Sequence, residues 1–136
     1  MKKQMVFIIG LMIFILAGCN NSDSQISHQG NGDDSLAPLK VNILTDKNAF
    51  KVNESGKVEI KVTKKEENVD DADEVKFEIW KDGQKNKSRI YKGVHTKEGH
   101  YMLKHTFKAP GDYHIIAHVT ARGSHTMPVK VLHVSS

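Results

Sequence analysis

Cysteine is almost absent from this 136-residue chain, since Cys19 is the only one. One cysteine excludes an intramolecular disulfide, so a folded domain here must draw its stability from its core. Long apolar runs are equally scarce: the only one extends from Met5 to Leu16, interrupted by Gly10. The apolar run near the N-terminus is therefore the part of the sequence that suggests a membrane.

The first nineteen residues have the order of a secretory signal peptide. Lys2 and Lys3 precede the apolar run, and small residues precede Cys19. A membrane-spanning helix needs about 20 apolar residues, and the polar stretch that begins at Asn20 ends the run too early. The quartet Leu16-Ala17-Gly18-Cys19 resembles the lipobox of bacterial lipoproteins. We therefore predict cleavage before Cys19, lipidation of its thiol, and anchoring at the outer, extracytoplasmic face of the cell membrane.

Three segments follow from this reading. Residues 1–18 are the signal peptide, residues 19–38 a lipidated N-terminus and flexible polar linker, and residues 39–136 one small domain. Removal of Lys2 and Lys3 leaves 18 basic against 16 acidic residues, a net charge of +2. That balance, with no basic stripe carrying interleaved aromatic residues, argues against nucleic acid as a partner.

The domain alternates apolar and polar residues with the period of two that is typical of β-strands. The clearest cases are 58–62 and 75–79, with a weak middle strand at 88–93 and a last strand at 127–134. Turn-forming segments separate strands at 53–56, 81–83 and 109–112. About seven short strands without a helix predict an all-β, immunoglobulin-like sandwich. Tyr113, which follows a Pro-Gly turn, is a candidate for its tyrosine corner. The predicted core contains Val58, Ile60, Phe77, Ile79, Leu103, Ile115 and Val119.

Histidine and methionine are concentrated in the last third of the chain. Seven of the eight histidines lie between residues 95 and 133. The two methionines of the mature chain, Met102 and Met127, each follow a histidine by two positions, as His100/Met102 and His125/Met127. Residues i and i+2 of a strand share a face, roughly 6.6 Å apart. Because His100, Met102, His114 and His118 alternate with apolar residues, we predict that they lie outside the core.

Strand order brings these side chains to one pole of the predicted sandwich. The start of the strand at 99–107, the end of the strand at 112–122 and the start of the last strand share that pole, together with His95 and the acidic loop 64–74. If Gly123-Ser124 forms a two-residue hairpin turn, His118 and Met127 are diagonal neighbours within about 7–8 Å. Imidazole with thioether favours Cu(I) over Zn²⁺ or Ca²⁺. The predicted copper ligands are His118, His125, Met127, His100 and Met102.

Other interpretations of the same residues remain open. The histidines and methionines also fit an ordinary solvated surface, and the domain also fits a non-metal binding module that contacts a membrane or cell-envelope protein. The acidic run Asp70–Glu74 lacks the glycine and spacing of an EF-hand loop, which favours a solvated loop over a Ca²⁺ site. An enzyme is disfavoured because the sequence offers no nucleophile–base pair and no supported carboxylate dyad.

Three segments carry a family resemblance: Asp73–Gly83, Pro110–Tyr113 and His118–Pro128. They resemble the YtkA-like domain of Gram-positive lipoproteins, which is similar to the FixH family, and the resemblance covers about residues 39–134. It implies a small extracytoplasmic β-sandwich. It also implies a metallochaperone or assembly factor that supplies copper to a haem-copper respiratory oxidase, whose subunit would be the protein partner. The His-Met pattern is similar in kind to that of periplasmic Cu(I) chaperones.

Overall fold

The computed structural model describes residues 37–136, which form two β-sheets. The strands are β1 (Leu39–Ile43), β2 (Phe50–Lys51), β3 (Ser55–Lys64), β4 (Glu67–Asn68), β5 (Glu74–Lys81), β6 (Arg89–Lys92), β7 (Val94–Lys97), β8 (His100–Thr106), β9 (Gly111–Ala121), β10 (Ser124–Thr126) and β11 (Val129–Ser135). The first sheet has the order β1-β3-β8-β7, with β4 paired to β3. The second has the order β2-β11-β9-β5-β6, with β10 paired to β9. All pairs are antiparallel except β2 with β11.

The core lies between the two sheets and is built by the alternation in the sequence. Within β3, β5 and β9, every second residue is buried, which leaves the polar residues between them on the outer faces. Burial of each large apolar side chain contributes about 1.5–3 kcal/mol before entropy is counted. The prediction of an all-β sandwich is therefore confirmed. The predicted core residues are buried, except Leu103, which is half-buried and packs against the others.

The structure divides the chain into more strands than the predicted seven. Three of the additional segments, β2, β4 and β10, contain only two or three residues. The weak middle strand predicted near residues 88–93 becomes β6 of the second sheet, and the chain then crosses at Gly93 to β7 of the first sheet. The predicted last strand, 127–134, begins at Val129 instead, because Met127-Pro128 separates β10 from β11.

Tyr113 forms the expected tyrosine corner. Its hydroxyl donates to the carbonyl of Ala109 at 3.0 Å, four residues upstream, and its ring packs against Phe107. Partial burial raises the pKa of the Tyr113 phenol, so the hydroxyl stays protonated as a donor. This bond fastens the turn that connects the first sheet to the second.

Residues 37–136 contain a single 3₁₀ turn, Lys85–Lys87, and no α-helix. Within this described part of the chain, no helix has the length and apolarity needed to cross a membrane. The predicted signal peptide, the lipidated Cys19 and most of the linker lie outside the described residues.

Candidate functional site

The five predicted copper ligands do not form one group. His100 and Met102 lie on β8 of the first sheet, whereas His118 lies on β9 of the second sheet and His125 on β10. Each alternates with inward-facing residues, so each group is on the outer face of its own sheet. Since these outer faces point away from each other, the structure does not bring the five predicted ligands into one cluster, and their binding of copper stays a prediction.

The two groups do lie near the same end of the sandwich, as expected. Lys64, the last residue of β3, donates from Nζ to the carbonyl of Arg122 at 3.3 Å, beside the turn that follows β9. His100 pairs with Lys61 near that end of β3. Strand direction thus correctly predicted the shared pole. Alternation predicted that each side chain faces outward from its own sheet, but it does not show which strands belong to the same sheet.

A hairpin brings the other three residues together. Its turn is Arg122-Gly123, with φ values of +47° and +74°, rather than Gly123-Ser124. His125 pairs with Thr120, and Met127 lies between Thr126, paired with Val119, and Val129, paired with Ile116. Met127 is therefore directly opposite His118 instead of diagonal to it. The pairing shifts by two positions relative to the prediction, and an even shift preserves the face on which side chains lie.

The two imidazoles of the hairpin are close neighbours with defined hydrogen bonds. Their ring centroids are 6.3 Å apart, at an interplanar angle of 35°. His118 uses Nε2, which is 3.1 Å from a carboxylate oxygen of Glu78, and His125 uses Nδ1, which is 2.7 Å from the hydroxyl of Thr120. The remaining nitrogens are Nδ1 of His118 and Nε2 of His125. Met127 is 52% exposed, so its thioether is accessible to solvent on this surface.

Glu78 is the polar centre of the surrounding surface. One of its oxygens meets His118, and the other forms an ion pair with Lys85. Hydrogen bonding from the ammonium of Lys85, with smaller contributions from Ser88 and His118, lowers the pKa of the Glu78 carboxyl to about 2. Lys85 also places Nζ 3.7 Å from the ring centroid of Trp80, a cation–π contact. Sequence patterning missed Glu78, because its contact with His118 depends on the register between β5 and β9.

The first-sheet pair has its own setting. His100 Nδ1 is 2.8 Å from a carboxylate oxygen of Glu59, and Met102 lies between Glu59 and Val94 in the strand register. Glu59 is an acid on the neighbouring strand β3, so this pair resembles the hairpin site in composition but has one imidazole rather than two.

Carboxylates and imidazoles alone do not provide a metal site in residues 37–136. No three side chains of the types histidine, cysteine, aspartate and glutamate are grouped there so that they could hold a metal ion. A three-ligand site on the hairpin therefore requires the sulfur of Met127. The donor set of two imidazoles and one thioether fits a soft monovalent ion such as Cu(I).

A family model described as YtkA-like matches residues 33–118, which is more than half of the chain. The chain belongs to the YtkA-like family. Its predicted membership is thereby confirmed, whereas the similarity to the FixH family stays a prediction. The family match ends at His118, the first residue of the His118–Pro128 motif.

The fold has a likeness among solved structures. The PKD domain from human VPS10 domain-containing receptor SorCS2 is 23% identical, with 72% of each chain covered and a TM-score of 0.41. No curated protein matches the sequence.

The three segments that resemble the YtkA-like domain have distinct positions in this fold. Asp73–Gly83 contains β5, which carries Glu78 and Trp80, while Pro110–Tyr113 forms the tyrosine corner. His118–Pro128 is the hairpin with the two imidazoles and Met127. Two of the three segments that carry the YtkA-like resemblance thus converge on the second sheet's outer face around His118.

The acidic loop of this YtkA-like domain has an internal structural role. Asp70 accepts from the Gly99 amide at 2.5 Å and contacts His95 at 2.9 Å, and these contacts, led by the Gly99 hydrogen bond, lower the pKa of Asp70. The Tyr101 hydroxyl donates to the Val69 carbonyl at 2.9 Å. His95 lies on β7, beside the strand that carries His100 and Met102, and its contact with Asp70 fastens this loop to the first sheet.

Proposed function

We propose that this protein is a membrane-anchored, extracytoplasmic Cu(I)-binding protein, a metallochaperone or assembly factor that supplies copper to a haem-copper respiratory oxidase. The observation that carries the proposal is the hairpin, which places His118, His125 and Met127 on one exposed surface. Membership of the YtkA-like family supports an extracytoplasmic, non-catalytic role. The lipid anchor at Cys19 would keep the domain at the outer face of the membrane.

The chemistry of the hairpin suits delivery better than storage. Thioether and neutral imidazole are soft ligands that favour Cu(I), and neither contributes a formal charge to the site. Because Met127 is half-exposed at the surface, a partner with competing ligands has access to the bound ion. His100 and Met102 belong to the opposite outer face, so we assign the primary site to the hairpin alone and leave that pair outside it.

A competition titration of the full-length chain in detergent against a Cu(I) chelator tests this proposal. Met127→Leu removes the sulfur while keeping volume and apolarity, so we expect copper affinity to fall by at least about tenfold, or ~1.4 kcal/mol. His118→Ala and His125→Ala should weaken binding as well. Met102→Leu, the matched change on the opposite face, should leave the hairpin affinity unaltered.

Three results would contradict the assignment of copper to the hairpin alone. Unchanged affinity in the Met127, His118 and His125 variants would remove the hairpin as the site. Zn²⁺ binding that equals Cu(I) binding and is insensitive to Met127→Leu would indicate a histidine site without the thioether. A Met102→Leu variant that loses as much affinity as Met127→Leu would return the first-sheet pair to the ligand set.

A second candidate function is a non-metal module that binds a membrane or cell-envelope protein. The outer face of the second sheet favours it, since Val129 and Val131, two positions apart on β11, are exposed there to 57% and 36%. Exposed apolar side chains that adjoin one another mark interaction surfaces. The same titration separates the two functions, because a non-metal module would show no saturable Cu(I) binding by the parent protein.

A further inference from the structure

Glu78 is unusual among the acidic residues of this surface because it is largely covered. Its side chain is 13% exposed although it lies on the outer face of β5. One carboxylate oxygen is 3.1 Å from Nε2 of His118, and the other is paired with Lys85. Each oxygen of Glu78 therefore contacts a cationic or hydrogen-donating neighbour. Glu78 is not itself one of the proposed copper ligands.

The contact determines which nitrogen of His118 carries hydrogen. An ionised carboxylate can only accept a hydrogen bond, and Glu78 forms an ion pair with the ammonium of Lys85 through its other oxygen. Neutral His118 must therefore donate through Nε2–H, which leaves the lone pair on Nδ1. A histidine that binds a metal through one nitrogen commonly donates its other N–H to a carboxylate, which fixes both tautomer and ring orientation.

We propose that Glu78 is the positioning residue of the hairpin site, holding His118 in the Nε2–H tautomer so that Nδ1 is its copper-binding atom. This inference rests on the proposed copper site. His125 has the complementary arrangement when its Nδ1–H donates to the Thr120 hydroxyl, 2.7 Å away, because the lone pair is then on Nε2. The hairpin therefore offers a metal ion three atoms: Nδ1 of His118, Nε2 of His125 and the sulfur of Met127.

Lys85 supports the carboxylate from the side away from His118. It belongs to the 3₁₀ turn after β5, and its ammonium lies between Glu78 and the face of Trp80. Lys85, which lies outside the ligand set, thus holds the carboxylate that contacts His118.

Nitrogen NMR of the histidine side chains in the metal-free, full-length chain tests the tautomer directly. We expect His118 to show two well-separated nitrogen signals, as a single Nε2–H tautomer. In Glu78→Ala these signals should move toward each other as the two tautomers exchange. Asp82→Ala is the matched control, because Asp82 holds His114 Nε2 at 2.7 Å on the same face; it should alter His114 and leave His118 unchanged.

Cu(I) competition with the same variants tests the consequence for binding. Loss of a carboxylate that orients a metal-binding histidine costs about 10- to 100-fold in affinity, so Glu78→Ala should bind at least about tenfold more weakly. Asp82→Ala should bind as the parent does. Glu78→Gln, which keeps the size of the side chain, should lie between the parent and Glu78→Ala and serves if Glu78→Ala fails to fold.

The outcomes separate this inference from the proposed function. A parent protein that binds no Cu(I) overturns the proposed function. A parent that binds Cu(I) while Glu78→Ala and Glu78→Gln bind equally well overturns the role of Glu78 alone. A mixture of His118 tautomers in the metal-free parent also overturns it, whatever the affinities are.

Discussion

Most histidines of this domain have an acidic partner. Of the seven in residues 37–136, five lie 2.7–3.1 Å from a carboxylate oxygen: His95, His100, His114, His118 and His133. Sequence alternation correctly predicted that His100, His114 and His118 lie outside the core. It could not predict their partners, because the acids of all three come from other strands or turns and only the register reveals them. For the same reason, the sequence does not show which nitrogen of each ring contacts the acid.

Of the other two, His125 contacts the hydroxyl of Thr120. His105 lies among aromatic rings. Its centroid is 4.9 Å from that of Tyr91 and 4.6 Å from that of Phe107. Burial lowers the pKa of His105 below its usual value near 6.5. The unfolded chain therefore takes up a proton at this position at a higher pH than the folded chain does. The stability that depends on neutral His105 is complete above about pH 6.5 and is lost as the pH falls toward its folded pKa.

We expect His105→Phe to reduce the acid sensitivity of folding. Urea denaturation at pH 7.5 and pH 5.5 should show the free energy of unfolding of the parent falling on acidification, and falling less in His105→Phe. His133→Gln, at an exposed histidine that pairs with Asp112, is a suitable control for the loss of one imidazole. The same drop in the parent and in His105→Phe would show that burial of His105 has no part in it.

At the scale of elements, the hairpin shows why turn prediction was less certain than face prediction. Two-residue hairpin turns favour residues that accept positive φ, typically Asn-Gly or Gly-Gly. Here Arg122 occupies the first such position, with φ +47°. Gly123 is therefore the only residue of this turn whose type predicts a positive φ. The side-chain faces of His118 and Met127 were nonetheless correct, because alternation determines faces independently of the turn.

The crossing between the sheets at Gly93 leads to a prediction about packing. A Cβ placed on Gly93 would lie 2.7 Å from Cγ1 of Val75 and 2.9 Å from Cε2 of Phe77, both core side chains. Gly93→Ala should therefore lower the free energy of unfolding by about 1–3 kcal/mol, the usual cost of overpacking. Denaturant titration of the full-length chain measures this directly.

A double mutant identifies the cause of that loss. Val75→Ala creates space beside Gly93 and costs stability by itself, since Val75 is buried. If steric overlap is responsible, the double variant Gly93→Ala/Val75→Ala should be more stable than the sum of the two single effects predicts. Strict additivity would mean that the glycine is required for another reason than its closeness to Val75.

For the whole molecule, the assignment of strands to sheets determines which of the predicted ligands lie on the same surface. Local alternation and turn residues were sufficient to predict a β-sandwich, its core and its tyrosine corner. Pairing between strands far apart in sequence is not encoded in those local patterns. β8 pairs with β3, whereas β9 pairs with β5, and this difference alone separates His100 and Met102 from the hairpin. The sequence thus predicted the shared pole, and the topology brings together three of the five predicted ligands; that they bind copper stays a prediction.

The same architecture makes the predicted lipid anchor separable from the fold. Every buried core residue of the described domain lies between Leu39 and Val134, some twenty or more positions after Cys19. Cys19→Ser removes the thiol that would carry the lipid, so we expect the protein to leave the membrane fraction while its β-sheet circular dichroism is unchanged. Ser22→Ala, a neighbouring change that spares the thiol, should keep the protein at the membrane. Continued membrane attachment of a processed Cys19→Ser chain would contradict the anchor, and loss of the β-sheet signal in that variant would contradict the independence of the domain.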